Sequence, residues 1–174
     1  MAQKCPLCSS ETKKYMIADS KIYLICLNCD LVFLAPQFHL SINEEKKRYD
    51  LHENDPDDEN YKAFLSRLFK PIIKRIKPPT EGLDYGCGPG PALADMFEEK
   101  GYTMKTYDPI YQDDQEVLKR EYDFITCSEV VEHFYNPRAE FRRLISLLKV
   151  GGILGIMTEI RVTPDKFETW YYRR

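Results

Sequence analysis

The run of sequence that most constrains this chain is a glycine-rich turn between a strand and a helix, Leu83-Asp84-Tyr85-Gly86-Cys87-Gly88-Pro89-Gly90. The short apolar segment Gly82–Tyr85 leads into the turn, and the segment Pro91–Lys100 begins with proline, a residue suited to the first turn of a helix. Glycine lets the backbone approach a ligand closely, where a Cβ atom would clash. The run therefore predicts a ligand site at the carboxyl end of a strand, although a tight turn without a ligand is the alternative.

From Thr80 onward, short apolar segments alternate with amphipathic ones. The segments 102–107, 122–127 and 153–157 are typical of strands, and the segment 139–148 is typical of a helix. Alternating strands and helices favour a parallel sheet with helices on both faces. We therefore predict an α/β fold.

Two carboxylates indicate which kind of ligand the glycine turn binds. Asp84 precedes the first glycine, where a pyrophosphate would be repelled, and Pro91 stands where a nicotinamide-type fingerprint has its third glycine. A carboxylate at that place suits a positively charged ligand, such as the ammonium and sulfonium groups of S-adenosylmethionine (SAM). Asp108 follows Gly88 by 20 residues, a distance from which a carboxylate can bind the ribose hydroxyls.

Four cysteines form two C-x-x-C pairs near the N-terminus: Cys5, Cys8, Cys26 and Cys29. Two such pairs supply the four thiolates of a tetrahedral structural Zn²⁺ site, and short β-prone segments lie between and after them. The sequence therefore predicts a small β zinc ribbon over residues 1–40. A redox C-x-x-C motif and a metal-free remnant are the alternatives.

The pattern of residues 41–79 predicts a helical connector. From Tyr61 the apolar residues recur at the i, i+3, i+4 and i+7 spacing of an amphipathic helix, interrupted by Pro71. The acidic run at 52–59 predicts a solvated loop followed by a helix N-terminus.

The charge balance argues against a nucleic-acid partner. The chain has 25 Lys and Arg against 28 Asp and Glu, and residues 1–40 carry four basic against three acidic residues. Binding to phosphates requires a clear basic excess. The sequence has no apolar segment of the roughly 18 residues that span a bilayer and no secretion signal, so we expect a cytoplasmic protein with no membrane partner.

Three segments together resemble the class I SAM-dependent methyltransferases. Asp84–Gly90 looks like motif I of that family, and Tyr122–His133 is similar to its fourth strand and the turn that follows. Leu147–Met157 resembles its L-x-P-G-G turn and fifth strand, with Val150 where proline is usual. The cysteine-rich N-terminal segment looks like the zinc-binding segment that precedes some members.

This resemblance implies a Rossmann-like sheet with strand order 3-2-1-4-5 and a set of site residues. SAM would be bound by Asp84, Gly86, Cys87, Gly88, Asp108, Pro109, Cys127, Ser128 and Glu129. If the acceptor must lose a proton, His133 is the candidate general base, because its ordinary pKa lies near neutrality.

The sequence departs from the family pattern in two places. Only 13 residues, 109–121, separate Asp108 from the fourth strand, so the third strand is abbreviated, with Gln115–Lys119 as its remnant. Only 14 residues follow Ile160, so the two strands that usually close the sheet are missing, and we expect an excised or shortened form of a longer methyltransferase. The fifth strand is then an open edge through which a homodimer can form.

The sequence thus predicts a zinc ribbon (1–40), a helical connector (41–79) and a SAM-binding domain (80–174). The predicted function is methyl transfer from SAM to a small-molecule acceptor. One alternative is an RNA methyltransferase that uses the zinc ribbon to hold RNA. The other is a non-catalytic module that binds SAM or a partner.

Overall fold

The computed structural model describes residues 3–51 and 58–171. Near the N-terminus, an antiparallel sheet has the strand order β1-β2-β3, with β1 at Thr12–Ala18, β2 at Lys21–Cys26 and β3 at Val32–Leu34. Asp19 and Ser20 form the hairpin turn, and both have positive φ angles, as short polar residues in such turns often do. We refer to residues 3–40 as the cysteine module.

Two helices form the connector: α1 at Ile42–Tyr49 and α2 at Glu59–Ile73. The first begins with a capping box between Ser41 and Glu44, and the second begins at Asp58, whose carboxylate accepts a hydrogen bond from the Asn60 N–H at 2.8 Å. The amphipathic helix predicted from Tyr61 is thus confirmed, and it starts two residues earlier. The rest of the acidic run, residues 52–57, lies outside the described residues.

The remaining chain forms a four-stranded parallel sheet with the order β5-β4-β6-β7. Its strands are β4 (Glu81–Tyr85), β5 (Thr103–Tyr107), β6 (Tyr122–Ser128) and β7 (Leu148–Met157), and its helices are α3 (Ala92–Glu98) and α4 (Pro137–Ser146). The predicted α/β fold with a parallel sheet is confirmed. β7 begins five residues earlier than expected, because the helix before it ends at Ser146.

The predicted third strand requires a correction. Gln115–Lys119 forms a 3₁₀ helix, and the Asp114 side chain accepts a hydrogen bond from the Glu116 N–H at its start. The described order β5-β4-β6-β7 corresponds to family strands 2-1-4-5. Strand 3 of the predicted order 3-2-1-4-5 is therefore absent from the described residues. The physical reason is length, since a parallel crossover needs about a dozen residues for itself, and the 13 residues available must also reach β6.

The sheet is covered on both faces. Leu65 and Ile72 of α2 and Phe97 of α3 pack with Phe124 on one face, and Leu144 of α4 packs with Ile125 on the other. Glycine at position 155 allows α2 to lie close to β7, because a Cβ atom there would be 2.6 Å from the Ile72 Cδ1 atom.

A short helix after β7, α5 at Pro164–Phe167, packs against the cysteine module. Phe167 is 2 % exposed and lies edge-on to the rings of Tyr15 and Tyr23. The C-terminal aromatic residues therefore contribute to the core of the N-terminal sheet, so residues near both ends of the described chain share one hydrophobic cluster.

Two further features bear on partners. In the described part of the chain, β7 has a strand neighbour on one side only, β6, so the predicted open edge is present. Dimer formation through that edge stays a prediction. None of the described helices is long and apolar enough to cross a membrane.

Candidate functional site

The glycine turn lies at the carboxyl end of β4, the central strand between β5 and β6. Gly86 and Gly88 have φ angles of +80° and +66°, which side-chain-bearing residues rarely adopt. A Cβ atom on Gly86 would lie 2.4 Å from the Val130 side chain, whereas a Cβ atom on Gly88 would meet no described atom within 4 Å. Gly86 thus allows close packing within the protein, and Gly88 presents bare backbone toward open space.

Asp84 is a buried carboxylate beneath this turn, and it is only 4 % exposed. Its Oδ1 accepts a hydrogen bond from the Thr126 hydroxyl at 2.7 Å. Burial, with a smaller contribution from the negative charge of Asp108, raises the pKa of Asp84 to about 6, although the Thr126 bond opposes the shift. A carboxylate kept at this energetic cost is a feature of binding and catalytic sites.

Asp108 lies at the end of β5, facing the glycine turn. Its Oδ2 accepts from the Gly88 N–H at 3.0 Å, and its Oδ1 accepts from the Ile110 and Tyr111 N–H groups at 2.8 and 3.1 Å. The turn itself is fastened to β5, because the Gly86 N–H donates to the Tyr107 carbonyl at 2.7 Å. The structure therefore brings together Asp84, Gly86, Gly88 and Asp108, the central residues of the predicted cofactor site.

The other predicted cofactor residues lie in different environments. Cys87 is half-buried within the turn, and burial with the nearby Asp84 charge raises its pKa to about 12, so its thiol stays protonated. Pro109 is exposed beside Asp108, and Ser128 ends β6. Cys127 is fully buried in the cluster that packs against α4, so its side chain contributes to the core.

Glu129 borders a cavity of about 490 Å³ at the carboxyl ends of β6 and β7. It has a φ angle of +56°, and its N–H donates to the Met157 carbonyl at 2.8 Å, which fixes the turn after β6. Burial and the charge of Glu132 raise the pKa of Glu129 to about 7. The cavity is also lined by Phe64, Arg67, Met157, Thr158, Glu159 and Ile160.

His133 follows this turn and is exposed, with its ring edge-on to Tyr49 of α1 at a centroid distance of 5.5 Å. Burial raises the pKa of Tyr49, and the nearby charges of Glu45, Asp108 and Glu132 raise it further. The predicted base and the end of the connector helix are thus neighbours.

Residues of the connector lie close to the predicted site. Tyr61 of α2 is partly buried against the core, and its pKa is raised first by this burial and then by the nearby charges of Asp84, Cys87 and Glu129. On the other side, Tyr111 donates to Asp50 at 2.6 Å, and the Lys46 ammonium lies 4.6 Å from the Tyr111 ring centre. The sequence signal for Tyr61 was the amphipathic pattern of α2, whose apolar residues continue from the buried Leu65 back to Tyr61.

The four N-terminal cysteines form a separate cluster. Their sulfur atoms all lie within 4.8 Å of one another, and three of the Sγ–Sγ distances are 3.4, 3.6 and 3.7 Å. A tetrahedron of thiolates with Zn–S bonds of about 2.3 Å has edges of about 3.8 Å. Backbone N–H groups of Cys8, Asn28 and Cys29 point at the sulfurs of Cys5 and Cys26, which suits thiolates. The donor set therefore fits one Zn²⁺ ion.

Comparison with known protein families agrees with this geometry. A family model that describes a methyltransferase domain matches residues 53–174, which include the whole parallel sheet, the glycine turn and the cavity. No curated protein matches the chain. A methyltransferase domain implies SAM as the methyl donor. The chain therefore belongs to the methyltransferase-domain family.

Proposed function

We propose that this protein transfers a methyl group from SAM to a small-molecule acceptor. The observation that carries the proposal is a pair of buried carboxylates at the glycine turn: Asp84 on the strand that leads into it, and Asp108, which accepts a hydrogen bond from the Gly88 N–H. A buried acidic pair with bare backbone beside it favours a ligand that has both a positive charge and a diol, and SAM has both.

The two carboxylates have different roles in this proposal. Asp84, with Gly86 and Gly88, forms the end of the site for the charged methionine portion, where a cation would stabilise the ionised form of Asp84. Asp108 binds the ribose. Three N–H donors already occupy about three of the four acceptor positions of its carboxylate. A ribose that donates both hydroxyls must therefore replace at least one of them.

The chemistry requires alignment more than acid–base catalysis. SAM supplies an electrophilic methyl group on a sulfonium, and the protein must hold the acceptor in line with the sulfur–methyl bond. If the acceptor has to lose a proton, His133 is the proposed base. Glu129 is a second candidate, because it borders the cavity and its pKa of about 7 allows it to take up a proton at neutral pH.

The cavity beside Glu129 supports a small acceptor. Its volume of about 490 Å³ lies in the range of small-molecule pockets, and Phe64, Met157 and Ile160 give it apolar walls. Its lining has two acidic residues, Glu129 and Glu159, against one basic residue, Arg67, whereas an RNA backbone favours a basic excess. The RNA methyltransferase alternative is therefore less well supported than a small-molecule acceptor.

The cysteine cluster is proposed to hold a structural Zn²⁺ ion through Cys5, Cys8, Cys26 and Cys29. Four thiolates fill the tetrahedron and leave no open position for chemistry. The module is too small to have a large core of its own, so the metal would contribute much of its stability.

Titration calorimetry with the demethylated product, S-adenosylhomocysteine, tests the cofactor site. We expect one molecule to bind per chain with a dissociation constant below 1 mM, about −4 kcal/mol or better. No binding at that concentration would overturn the proposal. Binding without methyl transfer to any acceptor would support the non-catalytic alternative.

Methyl-labelled SAM identifies the acceptor class. We expect label in the small-molecule fraction of a cell extract after incubation with the protein. Label in the RNA fraction, with a strong dependence on salt, would instead support the RNA methyltransferase alternative.

A further inference from the structure

We propose that the cysteine module positions the two loops that border the cavity, and that Arg161, Phe167, Trp170 and Arg138 are the positioning residues. The inference rests on the proposed function in that it takes the cavity to be the acceptor side of the site. The contacts themselves connect the module to the loops after β6 and β7.

The first connection runs through the segment after β7. Thr158, Glu159 and Ile160 border the cavity, and the next residue, Arg161, reaches the module. Its Nη1 donates to the Tyr15 hydroxyl at 2.9 Å, and its guanidinium lies 5.4 Å from the centre of the same ring. The cavity wall is therefore one residue away from a contact with β1.

The second connection is the aromatic anchor of α5. The ring of Phe167 lies 5.2 Å from that of Tyr15 and 5.0 Å from that of Tyr23, both edge-on, and it is almost fully buried. Trp170 packs beside Phe167, and its Nε1–H donates to the Glu159 carboxylate at 2.7 Å. The segment that follows the docked helix thus holds a residue of the cavity wall by a direct hydrogen bond.

The third connection reaches the loop after β6, which carries Glu129 and His133. Tyr135 donates to the Leu40 carbonyl at 3.1 Å, and its ring stacks on His39 at 4.6 Å. Arg138, at the start of α4, donates to the Ser9 hydroxyl at 2.9 Å, next to the second cysteine ligand. The module therefore contacts the flanks of both loops that form the cavity.

The glycine turn is held by different contacts. Gly86 and Cys87 donate to the Tyr107 carbonyl, and Gly88 donates to Asp108. Val130 of the loop after β6 also packs against Gly86, but these hydrogen bonds of the turn come from β5 and its following loop. Loosening the cysteine module should therefore disturb the cavity loops and leave the cofactor turn in place. This selectivity distinguishes positioning from a general contribution to stability.

Hydrogen exchange measured by mass spectrometry on the full chain tests the inference with Phe167→Ala. We expect exchange about tenfold faster in residues 129–136 and 158–170, because the anchor is lost, and rates within about twofold of the unaltered protein in residues 84–90 and 107–111. Phe167→Leu should restore much of the protection. Phe69→Ala is the matched control, since it removes the same side chain from the core between α2 and α3.

Two milder variants keep the test decisive if Phe167→Ala does not fold. Arg161→Met removes the bond to Tyr15, and Trp170→Phe removes the N–H that holds Glu159 while keeping an aromatic ring. Each should accelerate exchange in residues 158–161 by a smaller factor than Phe167→Ala. Unchanged exchange in both cavity loops, or an equal increase that includes residues 84–90, would overturn the proposal.

Zinc chelation supplies an independent readout. Trp170 is the one tryptophan in the chain, so its fluorescence reports on the anchor alone. We expect chelation to shift its emission to longer wavelength, while the affinity for S-adenosylhomocysteine changes by less than about threefold. Failure to bind S-adenosylhomocysteine at all would overturn the proposed function and leave the exchange results unaffected. An unchanged Trp170 spectrum on metal removal would count against the inference.

Discussion

At the scale of single residues, the buried Asp84 combines a stability cost with a binding role. Its pKa is raised from 3.8 to about 6, so the folded protein holds a proton more tightly than the unfolded chain does. Protonation of Asp84 therefore stabilises the folded protein. This contribution to the free energy of unfolding is fully present below pH 3.8 and is lost as the pH rises through 6. A pKa shift of this size lowers the free energy of unfolding at pH 7.5 by roughly 3 kcal/mol.

Asp84→Asn should therefore be more stable than the unaltered protein at pH 7.5 and no more stable at pH 4, since the amide still accepts from Thr126 without ionising. Urea unfolding at the two pH values measures the difference. Asp123→Asn is the control with the opposite sign, because the Glu81 N–H and Lys149 lower the pKa of Asp123. Its cost should be larger at pH 7.5 than at pH 4. Equal stabilities of Asp84→Asn and the unaltered protein at pH 7.5 would contradict the prediction.

Asp108 is expected to dominate cofactor affinity. Asp108→Asn replaces a carboxylate with a neutral amide and should weaken S-adenosylhomocysteine binding by about 10- to 150-fold, the range for losing charge-assisted hydrogen bonds. Calorimetry measures the affinity, and the exposed neighbour Asp113→Asn serves as the control. An unaltered affinity in Asp108→Asn would show that the ribose binds elsewhere.

At the scale of elements, the two glycines of the turn should respond differently to alanine. Gly86→Ala forces a side chain into a φ of +80° and against Val130, so we expect a loss of a few kcal/mol in unfolding free energy. Gly88→Ala meets open space and should cost only the backbone strain of about 1–2 kcal/mol while reducing cofactor affinity. Thermal or urea unfolding compares the two. If Val130→Ala does not soften the effect of Gly86→Ala, the predicted clash is not the cause.

The elements also show what sequence patterns can and cannot predict. The strand–turn–helix at Asp84–Gly90 and the amphipathic α2 were predictable, because glycine placement and apolar spacing act locally. The 3₁₀ helix at Gln115–Lys119 was not, since a five-residue segment with only two apolar residues is too short to show a period. The apolar spacing of α2 reaches Tyr61, but it does not show which part of the sheet the helix covers, because that depends on tertiary packing. The position of Tyr49 beside His133 depends on tertiary packing in the same way.

At the scale of the whole molecule, the cysteine cluster predicts one Zn²⁺ ion per chain. Elemental analysis should find it, and Cys8→Ser should lower the zinc content and the melting temperature, because metal binding contributes to the folding of such a small module. Cys87→Ser is the control, because Cys87 lies in the glycine turn and outside the cluster. A full complement of zinc in Cys8→Ser would contradict the predicted ligand set.

Self-association belongs to the same scale. Because β7 is an edge strand among the described residues, with Val150 and Ile156 exposed, we predict a concentration-dependent homodimer. Sedimentation velocity measures it, and Ile156→Lys should shift the equilibrium to monomer, with the exposed helix residue Ile145→Lys as the control. A monomer at all concentrations would make the edge prediction wrong.

The contact between Phe167 and the tyrosines of the N-terminal sheet has a kinetic consequence. Tyr15 and Phe167 are separated by most of the chain, so closing this contact costs much loop entropy and should happen after the folding transition state. Weakening it should then speed unfolding and leave the folding rate almost unchanged. The contact of Phe167 with the two tyrosines would therefore set the unfolding rate, and with it the lifetime of the folded protein, but not the folding rate.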